Sequence, residues 1–196
     1  MGALHAEAMA WLRYGKKLPI VCTEVGRWNA DVLGMNRTTC VEVEVKVSLA
    51  DLRAEFRNKT KKHWVYSHAE GTNYGDVPNY FYFCLAEGLG DKAEALIEAE
   101  APTAGIVVHA PGQIAGRCLT LVRKAKRLKA TPPSAAEIRT ALLRMGSQLC
   151  GLNVYQAELE QKLMTAMTVA GRAALDAAEQ LGTTPDIDIS LDGVSL

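Results

Sequence analysis

Residues 40 to 47 read CVEVEVKV, and this octet constrains the fold more than any other stretch of the chain. Val41, Val43, Val45 and Val47 alternate with Glu42, Glu44 and Lys46. Period-two alternation marks a β-strand, whose successive side chains point to opposite faces of a sheet. One face is apolar throughout and the other is charged throughout. The apolar face needs a packed layer. The charged face needs water, counter-charges or a bound cation. Solvation is the common solution in half-exposed antiparallel sheets. Here, however, the polar positions hold no Thr, Ser or Gln, and Ser48 and Asp51 then make an S-x-x-D helix cap over LADLRAEF.

The neighbouring segments build a sheet around this strand. Leu4–Tyr14 has helical spacing. KLPIVCTEV (17–25) and ADVLGM (30–35) read as strands, joined by a turn at Gly26 to Asn29. NRTT (36–39) is a short turn, so the first three strands form a meander. A second helix is expected over 59–69, a loop over GTNYGDVPN, and an aromatic strand over YFYFCLA (80–86). Next come a helix over 92–100 and strands over 104–110 and 116–128. Trp64, Tyr80, Phe81, Tyr82, Phe83 and Tyr66 are expected in the core.

ATPPS (130–134) is the clearest linker: its two prolines stop the preceding strand, and Ser134 with Glu137 forms a capping box for a helix. It divides the chain into a domain over 1–129 and a helical extension over 130–196. Ile138, Met145, Leu152 and Leu159 are seven apart, and Leu142, Leu149 and Leu163 fit a second seam that Gln156 interrupts. A coiled-coil dimerisation arm and a helical hairpin folded on the sheet both suit this pattern, and self-association is the preferred reading. The tail from Thr183 has no strong pattern, so it is expected either to be mobile or to add an edge strand.

Composition excludes several classes. Cys22, Cys40, Cys84, Cys118 and Cys150 are scattered without a CxxC pair, which argues against a disulfide framework or zinc ribbon and for buried free thiols. No apolar run reaches the roughly 18 residues that span a bilayer, and no signal-peptide pattern opens the chain, so a cytoplasmic location is expected. The formal net charge is zero, but it is unevenly spread. Ala101–Ala136 contains no acid and holds Arg117, Arg123, Lys124, Lys126, Arg127 and Lys129. A second basic cluster, Arg53, Arg57, Lys59, Lys61 and Lys62, comes after the charged strand. Such clusters can form a phosphate-binding face on a neutral molecule.

Glu44 and Lys46 project from one face of their strand about 6.6 Å apart. Across the short turn, Asp31 can sit beside Glu44 on a neighbour about 4.8 Å away. Adjacent carboxylates repel unless a cation lies between them, and hard oxygen donors favour Mg²⁺ or Mn²⁺. Water beside such an ion is more acidic, so the set has the equipment to hydrolyse a phosphodiester.

An Asp in one strand, a short turn, Glu-x-Lys in the next, then Ser and an amphipathic helix, resembles the signature of the PD-(D/E)XK nuclease superfamily. The pieces ADVLGM, CVEVEVKVSLADLRAEF, KKHWVY, PNYFYFCLAEGL and AGIVVHA are similar in order to the MmcB-like branch, which is associated with DNA repair in bacteria and phages. The resemblance covers roughly residues 4 to 128. It implies an α/β fold, restriction-endonuclease-like, with a mixed central sheet flanked by helices, and a Mg²⁺-dependent deoxyribonuclease activity (Mn²⁺ as a substitute). It implies Asp31, Glu44 and the Val45 carbonyl as metal ligands. Lys46 would position the attacking water and stabilise charge on the scissile phosphate. Glu24 would be a further metal or water-shell ligand, and Glu7 on the first helix competes for that accessory role. Lys62 and His63, with Arg123, Lys124 and Lys126, would contact DNA. Ala30 stands where the usual proline precedes the Asp, Val47 separates Lys46 from Ser48, and Glu42 has no role in the pattern beyond solvation. The competing expectation is a non-catalytic DNA-binding or assembly module that keeps the fold.

Overall fold

A computed structural model describes residues 2–26, 30–69, 77–110 and 118–180. Helix α1 (Ala3–Ala10) runs into a π-helical turn over Trp11–Gly15. The strands β1 (Ile20–Val25), β2 (Ala30–Met35) and β3 (Cys40–Lys46) are next. Then come α2 (Leu49–Asn58), α3 (Thr60–Ser67), β4 (Tyr80–Leu85), α4 (Gly90–Glu100), β5 (Gly105–His109), β6 (Leu119–Arg123) and α5 (Ala135–Gln180). The result is an α/β fold around one mixed sheet of six strands, lying in chain order from β1 to β6.

The meander forms as its turns dictate: β1–β2 and β2–β3 are antiparallel. Asn36 closes the second turn, its Oδ1 accepting from the Thr38 and Thr39 N–H groups at 2.8 Å each. From β3 to β4 and from β4 to β5 the pairing is parallel, so each connection crosses back over the sheet through helices. Ser48 Oγ accepts from the Asp51 N–H at 3.1 Å and starts α2 as its spacing predicts. The Ser134–Glu137 box is reciprocal: Ser134 N–H donates to Glu137 Oε2 at 2.6 Å and Glu137 N–H to Ser134 Oγ at 3.2 Å.

The sheet is covered on both sides. Val41, Val43 and Val45 pack with Ala8, Leu12 and Leu18 beneath α1. On the other face Phe81, Phe83 and Leu85 pack with Leu52, Phe56, Tyr66 and Ile97 of α2, α3 and α4. Ile138, Ala141 and Met145 of α5 lie against Leu33, Met35 and Cys40. Asn79, wholly buried, ties three segments: its Oδ1 accepts from Cys40 N–H, and its Nδ2 donates to the Lys129 and Thr131 carbonyls.

Gly105 is required by packing. A Cβ there would stand 2.3 Å from Tyr82 Cε1 and 2.6 Å from the Ala125 nitrogen. A ring held in the core and a backbone atom have no room to yield. Gly105→Ala is expected to lose about 3 kcal/mol, read as a lowered urea midpoint with an unchanged slope.

Several expectations need correction. The charged face of β3 is buried, as are all seven residues of the strand. The basic stretch after Arg123 leaves the ladder: Lys126 N–H bonds the Thr103 carbonyl and Leu128 N–H the Asn79 carbonyl. Trp64 is 54 % exposed and stacks on His68, because His63 and Tyr66 take the inward positions of α3. Cys22, Cys40, Cys84 and Cys118 are buried thiols, but Cys150 is exposed. The extension is one helix of 46 residues, not a hairpin, in spite of Gly146 and Gly151. Two compact units are present, Met1–Gln148 and Leu149–Leu196, so their boundary lies inside α5 and not at the ATPPS linker. The turn at 27–29, most of the Gly-rich loop, Arg117 and the C-terminal tail lie outside the described residues. Among the described residues no helix is long and apolar enough to cross a membrane.

Candidate functional site

The buried charges of β3 converge on α2 and α3. Val32 pairs with Val43, so the next step of the antiparallel ladder sets Asp31 opposite Glu44. The Val45 N–H donates to Asp31 Oδ2 at 2.8 Å and fixes that carboxyl beside the strand. In the parallel direction Glu42 and Glu44 stand beside Phe81 and Phe83.

Three ammoniums close on Glu44, which is 0 % exposed. Lys62 and Lys59 approach its Oε1 at 2.6 and 3.0 Å, and Lys46 approaches its Oε2 at 3.2 Å. Glu55 of α2 is the next vertex, with Lys46 at 2.9 Å, Lys59 at 3.1 Å and His63 Nε2 at 3.3 Å. Glu42 has the Lys62 ammonium at 2.5 Å and accepts from the Tyr66 hydroxyl at 2.7 Å. Four carboxyls, Asp31, Glu42, Glu44 and Glu55, therefore face three ammoniums.

That imbalance sets the direction in which each group's pKa is pushed. Burial, then the Glu44 charge beside it, pushes the Asp31 carboxyl up; the Val45 N–H and Lys46 only partly offset this. Burial also pushes Glu42 up against the pull of Lys62. Burial works on Glu44 in the same direction, but Lys62, Lys46 and Lys59 outweigh it and hold that group below the usual carboxylate range. Glu55 is likewise held down, since the His63 hydrogen bond, Lys46 and Lys59 overcome its burial. Burial would lower Lys46 and Lys62; their carboxylate neighbours overcome it and raise both.

These shifts fix the sign of the pH dependence. A carboxyl depressed on folding adds stability above its unfolded value, near 4.3 for Glu, and loses it as pH falls toward the folded value. Raised carboxyls act the other way, so Asp31 and Glu42 favour the fold at the acid end. Glu55→Gln is therefore expected to flatten the acid limb. Between about pH 5 and about pH 3 its urea midpoint should fall less steeply than that of the unaltered protein. An unchanged slope would remove Glu55 from the network.

The structure gathers Asp31, Glu44, Val45 and Lys46, and adds Glu42, Glu55, Lys59 and Tyr66. It does not bring Glu24 to them. Glu24 has φ 51, which turns its side chain away, and its exposed carboxylate pairs with Arg144 of α5 at 3.2 Å. Glu7 sits on α1, which covers the opposite face, and accepts from the Cys118 N–H at 3.3 Å. Lys62 and His63 point into the network and not outward. Arg123 pairs with Glu98 and donates to the Ala104 carbonyl, while Lys124 and Lys126 are exposed. Helix spacing could have found Glu55, which lies three residues after Leu52 and shares its buried face.

Among the described residues no group of three or more His, Cys, Asp or Glu is placed to hold a metal ion. The available donor set is the Asp31–Glu44 pair with a backbone carbonyl. This oxygen set suits a hard divalent ion that keeps several waters.

No family model matches this sequence, and no curated protein matches it. Among solved structures the chain is similar to the SPO1766 protein of unknown function from Silicibacter pomeroyi. The likeness has 14 % identity, spans 67 % of this chain and 72 % of that one, and has a TM-score of 0.42.

Proposed function

We propose that the protein is a metal-dependent nuclease of the PD-(D/E)XK type, in a restriction-endonuclease-like fold, that hydrolyses DNA phosphodiester bonds. One observation carries the reading: the β2–β3 register sets Asp31 against Glu44, with Lys46 on the same strand face. Two carboxylates held together call for a proton or a cation.

Asp31, Glu44 and the Val45 carbonyl would hold Mg²⁺ or Mn²⁺, which when bound supplies an acidified water and positive charge beside the scissile phosphate. Lys46 is raised by Glu44, Glu55 and Asp31 against its burial, so at neutral pH it is an ammonium. It donates and does not accept a proton, and its work is to orient water and offset charge on the phosphate. Glu44 and Glu55 fix its position from two sides. With Lys62 and His63 engaged inside, phosphate contacts fall to the exposed Arg53, Arg57 and Lys61, and to Lys126. Such contacts give salt-dependent binding without sequence readout.

The test is a panel of single-stranded, duplex, nicked and branched DNA with Mg²⁺, Mn²⁺ or EDTA. Cleavage that needs the metal is expected. A second reading, a DNA-binding module without catalysis, is favoured by the three ammoniums that already saturate Glu44. Salt-sensitive binding with no cleavage under any metal would select it.

The same proposal includes self-association through α5. Leu149, Leu152, Leu159 and Leu163 are all exposed at heptad spacing. Light scattering on the full chain is expected to give a dimer or larger, and Leu152→Glu with Leu159→Glu a monomer. A monomeric unaltered protein would end this part of the reading.

A further inference from the structure

A cleft of about 440 Å³ opens on the face of the sheet opposite Glu44. Its size falls in the range of small-molecule sites. Lys16 and Lys124 stand at it, with Asn36 and Thr39 of the β2–β3 turn and the rings of Tyr80 and Tyr82. Val41 and Tyr82 line it, and these side chains alternate with Glu42 and Phe81. The cleft is thus separated from the carboxylate network by the thickness of the sheet.

Its electrostatics are the reverse of that network. Among the described residues no carboxylate pairs with Lys16 or Lys124. The Lys16 ammonium lies over the rings of Trp11, at 4.8 Å, and Tyr82, at 5.4 Å. Partial burial, then the charge of Lys124, lowers its pKa. Two like charges brought together with no counter-charge are stabilised by an anion between them.

The backbone is shaped to put them there. The π-helical turn ends with the Lys16 N–H on the Trp11 carbonyl at 2.8 Å. Lys17 is next, in the left-handed region at φ 57, and the Leu18 N–H returns to the Leu12 carbonyl at 3.1 Å. π-turns of this kind are common at functional sites. Tyr82 is a fixed wall, seated over Gly105 and edge-on to Trp11 at 5.1 Å.

We propose that this cleft binds a small phosphorylated ligand that carries a flat ring, of the nucleotide class. Lys16 and Lys124 take the phosphates, Asn36 and Thr39 offer polar contacts, and the tyrosines face the ring. Two ammoniums suit more than one phosphate, so a nucleoside triphosphate binds more tightly than a monophosphate. The site is independent of the nuclease reading.

Calorimetry on the full chain in EDTA, with ATP, AMP and inorganic pyrophosphate, tests it. Saturable binding is expected, with ATP tightest. The paired change Lys16→Gln and Lys124→Gln should weaken ATP at least tenfold. Both lysines are exposed, and thermal unfolding should confirm that the pair leaves the fold intact. Lys46→Ala should bind ATP unchanged, which separates this site from the carboxylate network. Absence of saturation, affinity that survives the lysine changes, or pyrophosphate binding as tightly as ATP would each overturn the proposal. So would a single-stranded 20-mer that outbinds ATP through the same lysines, because the ligand would then be a polymer.

Discussion

Lys46→Ala is expected to lose metal-dependent DNA cleavage by about 10²–10³-fold or more, the usual cost of removing one preorganised donor from a developing anion. The fold should survive the change. Glu44 keeps Lys59 and Lys62, and Glu55 keeps Lys59 and His63. DNA affinity should change little, since the ammonium is almost wholly buried and the exposed basic side chains make the phosphate contacts. The informative result is therefore a split: turnover falls while binding and circular dichroism stay put. A cleavage rate that survives Lys46→Ala would remove the nuclease reading. A loss of both rate and fold would place Lys46 with the structural charges.

The largest effect on stability is expected at Lys62. Its ammonium meets Glu42 and Glu44 together and is 11 % exposed. Lys62→Met keeps much of the side-chain volume but strands Glu42 beside Phe81 and Tyr66, while Glu44 keeps Lys46 and Lys59. Breaking one partner out of a buried pair costs about 3–5 kcal/mol, because the remaining charge stays desolvated. Urea unfolding at pH 7 should report a loss of that order. Adding Glu42→Gln should return part of it, since the orphaned charge is then gone. If Lys62→Met costs under about 1 kcal/mol, as an exposed pair would, the network is solvated and its burial is misread.

Much of this site could be read along the chain. The alternation of β3, the short NRTT turn and the period of two together force Asp31 opposite Glu44, and the S-x-x-D cap sets where α2 begins. These are local consequences of spacing. The cover over the charged face was not legible in spacing. That α2 and α3 fold back over it, and so bury Glu42 and supply Glu55, Lys59 and Tyr66, is a tertiary fact. Alternation with water and alternation with a lysine lid look alike in one strand. Glu24 was lost for a different reason: a single dihedral at φ 51 sends its carboxylate to Arg144, and nothing in the letters TEV announces it. Trp64 faces outward because His63 and Tyr66 occupy the buried side of α3.

The two buried faces of β3 also act as an error check during folding. In an ordinary amphipathic strand, a slip of one residue exchanges a core side chain for one that water tolerates. Here a slip would drive Glu42, Glu44 and Lys46 among Val21, Val32 and Leu12, and would hand the valines to Lys59 and Lys62. Both layers would then reject the misaligned strand at once, one for desolvated charge and the other for orphaned ammoniums. The central strand therefore rejects any alignment off by one, and the arrangement that brings Asp31 to Glu44 is one that lets the domain close.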